Sequence, residues 1–216
     1  MEHVPPRCLF PHSKDLPAGE NLRKNLITVP SCDEHNREKS GDDQHLMHVL
    51  AMNLPAGAVG ESLFATKVVR SIQRRPALAA RMLSTAIPVV LRNPSTGEEV
   101  GTVAIQGDGE RVSKTLELVA RGIYFHHFGK AWAGPLRVVP EFFRWLIEEN
   151  AVSWNASLEE VIALTEGIFA NAPRHGANAG VFSYQVVETA IPGPVVMRMR
   201  FYGGCNVVAI FDAPGG

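Results

Sequence analysis

Apolar residues recur at helical spacing through much of the first half of the chain. Leu46, Val49 and Leu50 follow this spacing within 41–55, and a second apolar stripe runs over 59–75. Both segments are predicted to be helices, because one face of a helix repeats every three or four residues. Pro76 is predicted to open a third helix, since proline fits the first helical position.

The apolar period then shortens to that of β-strands. Segments 88–92 and 99–106 are rich in β-branched residues and flank a turn sequence at 93–97, which predicts a hairpin. Helical spacing returns after the hairpin, and the last third of the chain alternates again. Helices are predicted over 111–128, 141–149 and 158–169, and strands over 181–188, 195–202 and 206–211.

The first 40 residues are more polar than the rest. They contain one good strand candidate at 26–29, which Pro30 ends, and a polar segment at 33–39 that suits one or two helical turns. Such a segment has almost no apolar core of its own, so it needs a metal or packing against the rest of the chain. The whole pattern predicts an α+β protein, in which a small metal-type N-terminal module precedes helices and a mainly antiparallel sheet.

The composition is typical of a globular protein, and the cysteine count favours one cellular compartment. The chain has 216 residues, of which 45% are hydrophobic and 20% are charged, which excludes a wholly disordered chain. No apolar run reaches the roughly 18 residues of a membrane span, and the N-terminus lacks the pattern of a secretory signal. Because the chain has three cysteines, an odd number, no disulfide framework is expected and the cytoplasm is the expected location.

The overall charge is nearly balanced. The 21 basic and 22 acidic residues leave a formal net charge of -1, which excludes a histone-like binder but not a nucleic-acid enzyme with a locally basic face. Arg70, Arg74, Arg75 and Arg81 form a basic cluster. A solvated helix face is the expected default for this cluster, and phosphate contact is the alternative.

Side chains that bind metals are concentrated at one end. Five of the eight histidines and two of the three cysteines lie in the first 48 residues. His45 and His48 are three positions apart on a predicted helix, where a polar face is expected and a shared metal is the alternative. His175, in a loop, is expected to be solvated, and Cys205 is expected to be a small residue in a tight bend rather than a nucleophile.

The N-terminal segment also carries the residue types that phosphodiester hydrolysis needs. That reaction requires a base to activate water and a divalent cation to stabilise charge on the leaving oxygen. Histidine suits the base, and carboxylate, amide and imidazole groups suit Mg²⁺, Mn²⁺ or Zn²⁺. The candidates, in order, are Glu2, His3, Asn25, and the Cys-x-x-His-Asn sequence formed by Cys32, His35 and Asn36.

At these residues the chain resembles a known family. The stretches EHVPPRCLFP and NLITVPSCDEHNREKS are similar to the HNH endonuclease superfamily in its ββα-metal form with a zinc knuckle. The resemblance implies a ββα-metal module over about 1–43, followed by an α+β domain of unknown role over 44–216. It also implies a metal-dependent nuclease whose partner is nucleic acid, DNA rather than RNA.

The resemblance assigns a role to each candidate residue. His3 would be the general base that activates water, and Asn25 would orient it or hold the hairpin. Glu2 and Asn36 would be ligands of the catalytic divalent metal, which would be Mg, Mn or Zn. Cys32 and His35 would supply half of a structural zinc site.

The chain departs from the family pattern at the zinc knuckle. The family's first Cys-x-x-Cys lies upstream of the histidine, whereas this chain begins at Met1, and His35 replaces a cysteine of the later pair. Cys8 and His12 are the substitutes at hand for the absent pair. Two explanations follow: an N-terminally shortened endonuclease, or a degenerate module that binds nucleic acid or protein without cutting.

Overall fold

The protein combines helices with antiparallel strands. The computed structural model describes residues 1–31, 39–92, 96–189 and 194–212, and in these ranges both kinds of element are well represented, so the predicted α+β class is confirmed. The helices are α1 Ser40–Met52, α2 Ala58–Leu63, α3 Val69–Arg74, α4 Pro76–Ser84, α5 Gly109–Phe128 and α6 Ala151–Phe169. The strands are β1 Glu2–His3, β2 Thr28–Val29, β3 Ile87–Arg92, β4 Glu99–Ala104, β5 Leu136–Pro140, β6 Phe182–Glu188, β7 Val195–Phe201 and β8 Cys205–Phe211.

The N-terminal segment forms a short hairpin. Strand β1 pairs antiparallel with β2, so that Glu2 lies opposite Val29 and His3 lies opposite Thr28. Strand β2 covers only the second half of the strand predicted at 26–29. The next described helix along the chain is α1, which confirms the helix predicted from residue 41.

The predicted helix over 59–75 is present but is not uniform. It begins as α2 and ends as α3, and between them lies a π-helical stretch, Phe64–Val68. Pro76 opens α4 as predicted. Strands β3 and β4 then form the predicted hairpin, in which Ile87 lies opposite Ala104 at the base.

Helix α5 has the clearest end signals. At its start the side chain of Asp108 accepts a hydrogen bond from the amide of Arg111. At its end Gly129 adopts the left-handed conformation with φ 70°, and its amide donates to the carbonyl of Phe125 at 2.9 Å. Glycine suits this position because it has no Cβ to oppose a positive φ, so the predicted stop is confirmed.

The helix predicted over 141–149 is wrong. Strand β5 occupies the residues before it, and 141–150 form turns. Side chains take the hydrogen bonds that a helix would need: the guanidinium of Arg144 donates to the carbonyl of Glu141 at 2.7 Å, and the amide of Asn155 bonds both the N–H and the carbonyl of Trp145. These local partners compete with helical pairing of the backbone.

The C-terminal half is organised around a four-stranded antiparallel sheet. Its strand order is β5–β8–β7–β6, and the three predicted C-terminal strands are confirmed. Side chains alternate between the two faces along each strand, and apolar residues pack against both faces. In β8, Val207 and Ala209 belong to the main core, whereas Val208 packs with Phe169 of helix α6 on the other face.

The N-terminal residues share the main core with the rest of the chain. Val4, Leu9 and Phe10 are buried in the same cluster as residues of α1, α5 and the sheet. The hydroxyl of Tyr202 also donates to the carbonyl of Leu9 at 3.0 Å. Packing against the rest of the chain therefore stabilises this segment. The sequence predicted that either such packing or a bound metal would be needed. Within the described ranges, no helix combines the length and apolarity needed to cross a membrane.

Candidate functional site

The predicted base His3 and the predicted metal ligand Glu2 line the same small cavity. Lys39 and Asp43, at the start of helix α1, complete its polar side, and residues of helix α5 form the rest of the wall. The cavity measures about 10 Å³, which is close to the space that one water molecule needs. The arrangement therefore holds two carboxylates, an imidazole and an ammonium around one water-sized space.

An ion pair occupies the carboxylate of Glu2. The ammonium Nζ of Lys39 donates to Oε1 of Glu2 at 2.9 Å, and the two side chains are only 22% and 14% exposed. Partial burial makes this pair stronger than a surface pair, because solvent screens it less. The pair links strand β1 to the residue that precedes α1, and a cation bound at Glu2 would have to compete with Lys39.

One ring nitrogen of His3 has no partner. Its Nδ1 atom is buried and accepts or donates no hydrogen bond among the residues that the structure describes. An unsatisfied buried polar atom is costly and uncommon in native proteins. Its presence at a polar cavity is consistent with an atom that takes up a proton or contacts a water or ligand.

Asp43 is the second carboxylate at the cavity, and its pKa is raised to about 6. Burial is the main cause, because it disfavours the charged form. The negative charges of Glu2 and Asp42 add to the shift, and Lys39 opposes it. The net charge at this cavity therefore changes within one pH unit or so of neutrality.

We expect Asp43→Asn to flatten the dependence of stability on pH between about pH 4 and pH 6. The folded carboxyl, with its pKa near 6, still binds a proton in this window, whereas the unfolded carboxyl, near its ordinary 3.8, has lost it. Stability therefore falls in the wild type as the pH rises through the window. Melting temperatures of both proteins at several pH values test this.

The comparison for that measurement is Asp42→Asn, which keeps the buried carboxyl of Asp43 and removes only one of the charges that raise its pKa, so most of the wild-type pH dependence is expected to remain. Asp42 is the neighbouring residue, is 40% exposed, and pairs with Arg111 at 2.6 Å. If the Asp43 variant and the wild type lose melting temperature in parallel between pH 4 and pH 6, the assignment of this titration to Asp43 is wrong.

Close packing fixes the position of strand β1. A Cβ atom at Gly122 of helix α5 would lie 2.8 Å from Cγ2 of Val4, a distance that real Cβ contacts do not show. Only glycine therefore lets the residue next to His3 approach this helix so closely.

Asn25 lies at a second cavity. It has a φ of 54°, a conformation that asparagine tolerates better than most residues. The cavity beside it measures about 420 Å³ and is also lined by His126, His175 and Tyr184. The structure thus brings Glu2 and His3 together at one cavity and places Asn25 at another.

The second cavity gathers titratable aromatic side chains. The ring of His175 stacks on Tyr184 with centroids 5.1 Å apart, and the ring of His127 lies 5.1 Å from His175. Nδ1 of His127 is 3.4 Å from the hydroxyl oxygen of Tyr184. Burial, and then the charge of His175, lower the pKa of His127, so its neutral form is favoured near pH 7.

His175 corrects an expectation, because it is half-buried rather than solvated. Its backbone pairs with that of Tyr184 through two hydrogen bonds of 2.8 and 3.0 Å. The next residue, Gly176, has a φ of 123°, and a Cβ there would lie 2.8 Å from the carbonyl oxygen of Phe182. Glycine is therefore what lets this loop turn against strand β6.

His48 corrects a second expectation, since it lies in the core rather than on a polar helix face. It is 9% exposed, and burial, His45 and Arg75 lower its pKa.

Cys205 behaves as predicted: it is buried at the start of β8, and burial raises its pKa to about 12. Its thiol is therefore protonated at neutral pH and is a poor nucleophile.

The predicted zinc ligands Cys32 and His35, and the predicted metal ligand Asn36, lie outside the described residues. Cys8 and His12, the possible substitutes for the absent cysteine pair, make other contacts. The thiol of Cys8 has a pKa raised to about 12 by burial and donates to the carbonyl of Asp43, and the ring of His12 accepts a hydrogen bond from Arg23. Across 1–31, 39–92, 96–189 and 194–212, no three His, Cys, Asp or Glu side chains form a group that could hold a metal ion.

Sequence reasoning missed several residues of the two cavities. Lys39 lies in a segment predicted only to be polar, and Asp43 lies in a predicted helix. Nothing in the sequence pattern connects either residue to Glu2. Nothing in the sequence pattern connects His126, His175 and Tyr184, because they come from a helix end, a loop and a strand.

Comparison with known proteins identified no relative. No family model, curated protein or solved structure matches this chain. Its function has to be inferred from the residues around the two cavities and from the fold that carries them.

Proposed function

We propose that this protein is a metal-dependent endonuclease of the HNH type, which hydrolyses phosphodiester bonds in nucleic acid, DNA rather than RNA. One observation carries the proposal: strand β1 pairs with β2 and presents Glu2 and His3 to the start of helix α1 at a single polar cavity. This strand–strand–helix order supports a ββα module in the first 43 residues.

His3 is the general base in this proposal. Its buried Nδ1 has no hydrogen-bond partner in the described part of the chain, and the residue lines a cavity with room for about one water. A neutral imidazole in this position can accept the proton of a water that attacks phosphorus.

The metal in this proposal is a hard divalent cation, Mg²⁺ or Mn²⁺, with Zn²⁺ as the alternative. The carboxylates of Glu2 and Asp43 border the cavity and suit such a cation, and the proposed ligands are Glu2 and Asn36. When bound, the cation stabilises negative charge on the leaving oxygen. Cys32 and His35 would supply half of a structural zinc site that braces the hairpin, and Asn25 would orient the base or hold the hairpin.

A cytoplasmic location belongs to the same proposal. Cys8 and Cys205 are free thiols, and their burial protects them from oxidation. An odd number of cysteines with free thiols fits a reducing compartment.

Cleavage of plasmid DNA with added metal tests this function. The purified full chain is expected to nick supercoiled DNA with Mg²⁺, Mn²⁺ or Zn²⁺ and to lose that activity in excess EDTA, because the charge on the leaving oxygen is then unneutralised. A parallel assay on RNA of equal length is expected to give slower cleavage. Absence of cleavage with all three metals would exclude the enzyme.

A second function is favoured by the ion pair at Glu2. Lys39 already satisfies this carboxylate at 2.9 Å, as expected for a degenerate module that binds nucleic acid or protein without metal. Such a module would bind DNA equally well with metal and with EDTA, and it would not nick the plasmid. The same assay therefore separates the two functions.

A further inference from the structure

Positive charge is concentrated in one continuous part of this chain. All charged residues from Ser62 to Gly97 are basic, although the whole chain has 21 basic and 22 acidic residues. The segment runs from the last two residues of α2 through the π-helical stretch, α3, α4 and β3. Its basic residues are Lys67, Arg70, Arg74, Arg75, Arg81 and Arg92.

Two of these six cations already have partners. Nζ of Lys67 donates to two backbone carbonyls, those of Cys8 and Phe10, and Arg70 pairs with Asp15 at 3.1 Å. The remaining four are exposed, and none has an acidic partner within the described part of the chain. Those four are Arg74, Arg75, Arg81 and Arg92, and we call them the free arginines.

Two of the free arginines, Arg75 and Arg81, lie near the helix that borders the proposed catalytic cavity. The charge of Arg75 acts on His48, and the charge of Arg81 acts on His45, both on helix α1. Arg111 of helix α5 also acts on His45. These two arginines are therefore close enough to α1, the helix that carries Asp43, to act electrostatically on its histidines.

The hairpin next to them has the dimensions of a groove-binding element. Strands β3 and β4 have six residues each and are mostly exposed, and within the described ranges they pair only with each other. Six residues span about 20 Å, and the major groove of B-DNA admits a two-stranded ribbon. Arg92, at the end of β3 nearest the turn, places a guanidinium towards the tip of this ribbon.

The chemistry of the free cations favours a polyphosphate partner. All four are arginines, whose planar guanidinium makes paired hydrogen bonds to phosphate oxygens or to guanine. Exposed apolar side chains on the hairpin, such as Val90 at 66% and Val103 at 54%, can contact thymine methyl groups in the groove.

We infer that the free arginines form a binding surface for the phosphate backbone of duplex DNA, with the β3–β4 hairpin entering the major groove. The choice of DNA as the partner rests on the proposed function, but binding at this surface requires no cleavage. The surface would hold the duplex against helix α1, beside the cavity that contains His3.

Binding measured in EDTA at several salt concentrations tests the inference, with fluorescence anisotropy of a labelled 25-base-pair duplex as the readout. The variant Arg74→Gln/Arg75→Gln/Arg81→Gln is expected to bind on the order of 100-fold more weakly at 0.1 M salt. The slope of log affinity against log salt is expected to shrink by about 2.7, since each lost phosphate contact accounts for about 0.9.

The matched control is Lys14→Gln/Lys114→Gln/Lys130→Gln, which removes three exposed positive charges elsewhere. It is expected to keep the wild-type slope, and equal melting temperatures of all three proteins show that folding is unchanged. Equal slopes for the arginine variant and the wild type would overturn the inference. So would tighter binding to single-stranded RNA, or arginine-dependent binding to phosphatidylserine vesicles without binding to DNA.

The outcomes also separate this inference from the proposed function. If the arginine variant loses DNA binding and the wild type never nicks DNA, the binding surface stands and the nuclease does not. If the wild type nicks DNA and the arginine variant binds as tightly as the wild type, the nuclease stands and the binding surface does not.

Discussion

His3→Ala is expected to slow DNA cleavage by about 10² to 10⁴-fold, the usual contribution of a positioned general base. The variant removes the imidazole whose Nδ1 is buried without a partner at the cavity. DNA affinity should change little, because the free arginines are untouched. Single-turnover nicking rates with saturating Mn²⁺ measure the effect on the chemical step alone.

His12→Ala is the matched control for that measurement. His12 is an exposed histidine of the same segment, and its ring bonds Arg23 rather than facing the cavity. This variant should nick DNA at the wild-type rate. Equal rates for His3→Ala and the wild type, with equal melting temperatures, would remove His3 from the reaction.

Glu141→Ala is expected to lower the free energy of unfolding by about 3–5 kcal/mol, because it leaves a guanidinium buried without its counter-charge. Glu141 and Arg198 are 6% and 7% exposed, and Nη2 of Arg198 lies 3.3 Å from Oε1 of Glu141. Thr165 of helix α6 completes the group, since its hydroxyl oxygen lies 3.3 Å from the same carboxylate oxygen and accepts from Arg198 at 3.3 Å. Urea unfolding of both proteins measures the loss.

The neighbourhood of Arg198 explains the size of this effect. Its Nε has no hydrogen-bond partner among the described residues, and its guanidinium carbon lies 5.4 Å from the ring centroid of Phe169. With Glu141 removed, the hydroxyl of Thr165 and this ring are the contacts that the guanidinium keeps among the described residues. Neither can neutralise it, and α6 shields it from water.

Two further variants make the test specific. Asp212→Ala breaks an ion pair of similar length, 2.9 Å to Arg137, whose side chains are 34% and 67% exposed. It should lower the free energy of unfolding much less, because solvent screens an exposed pair. The double variant Glu141→Leu/Arg198→Met removes both charges and should recover most of the lost stability. If Glu141→Ala costs no more than Asp212→Ala, burial does not set the strength of the pair.

The position of the Glu141–Arg198 pair allows an effect on stability to be distinguished from an effect on DNA cleavage. It lies beneath α6, on the face of the sheet opposite the main core that holds the N-terminal hairpin. At temperatures well below its melting point, Glu141→Ala is therefore expected to retain DNA cleavage, whereas His3→Ala loses cleavage and keeps its stability.

Periodicity alone predicted the elements that bury one continuous face. Helices α1 and α5 and the three C-terminal strands appear where the apolar spacing places them, because burial of that face is the main local determinant of each. The end of α5 at Gly129 was equally predictable, since a glycine in the left-handed conformation terminates a helix by its own backbone preference.

Other features depend on partners that are distant in sequence. Residues 141–149 have helical spacing, yet Asn155 and Arg144 draw their backbone into turns. His175 looks like a loop residue, yet it packs on Tyr184. Glu2 obtains its counter-charge from Lys39, 37 positions away.

The sequence by itself thus determined the α+β class, most helices and strands, and the residue types that could cleave a phosphodiester. Only the tertiary structure decided which of them meet: Glu2, His3, Lys39 and Asp43 at one cavity, and Asn25 with His126 and His175 at another. The physical reason is that local periodicity reports which face of an element is buried. The identity of the side chain across the interface depends on how the elements pack, and no local pattern encodes it.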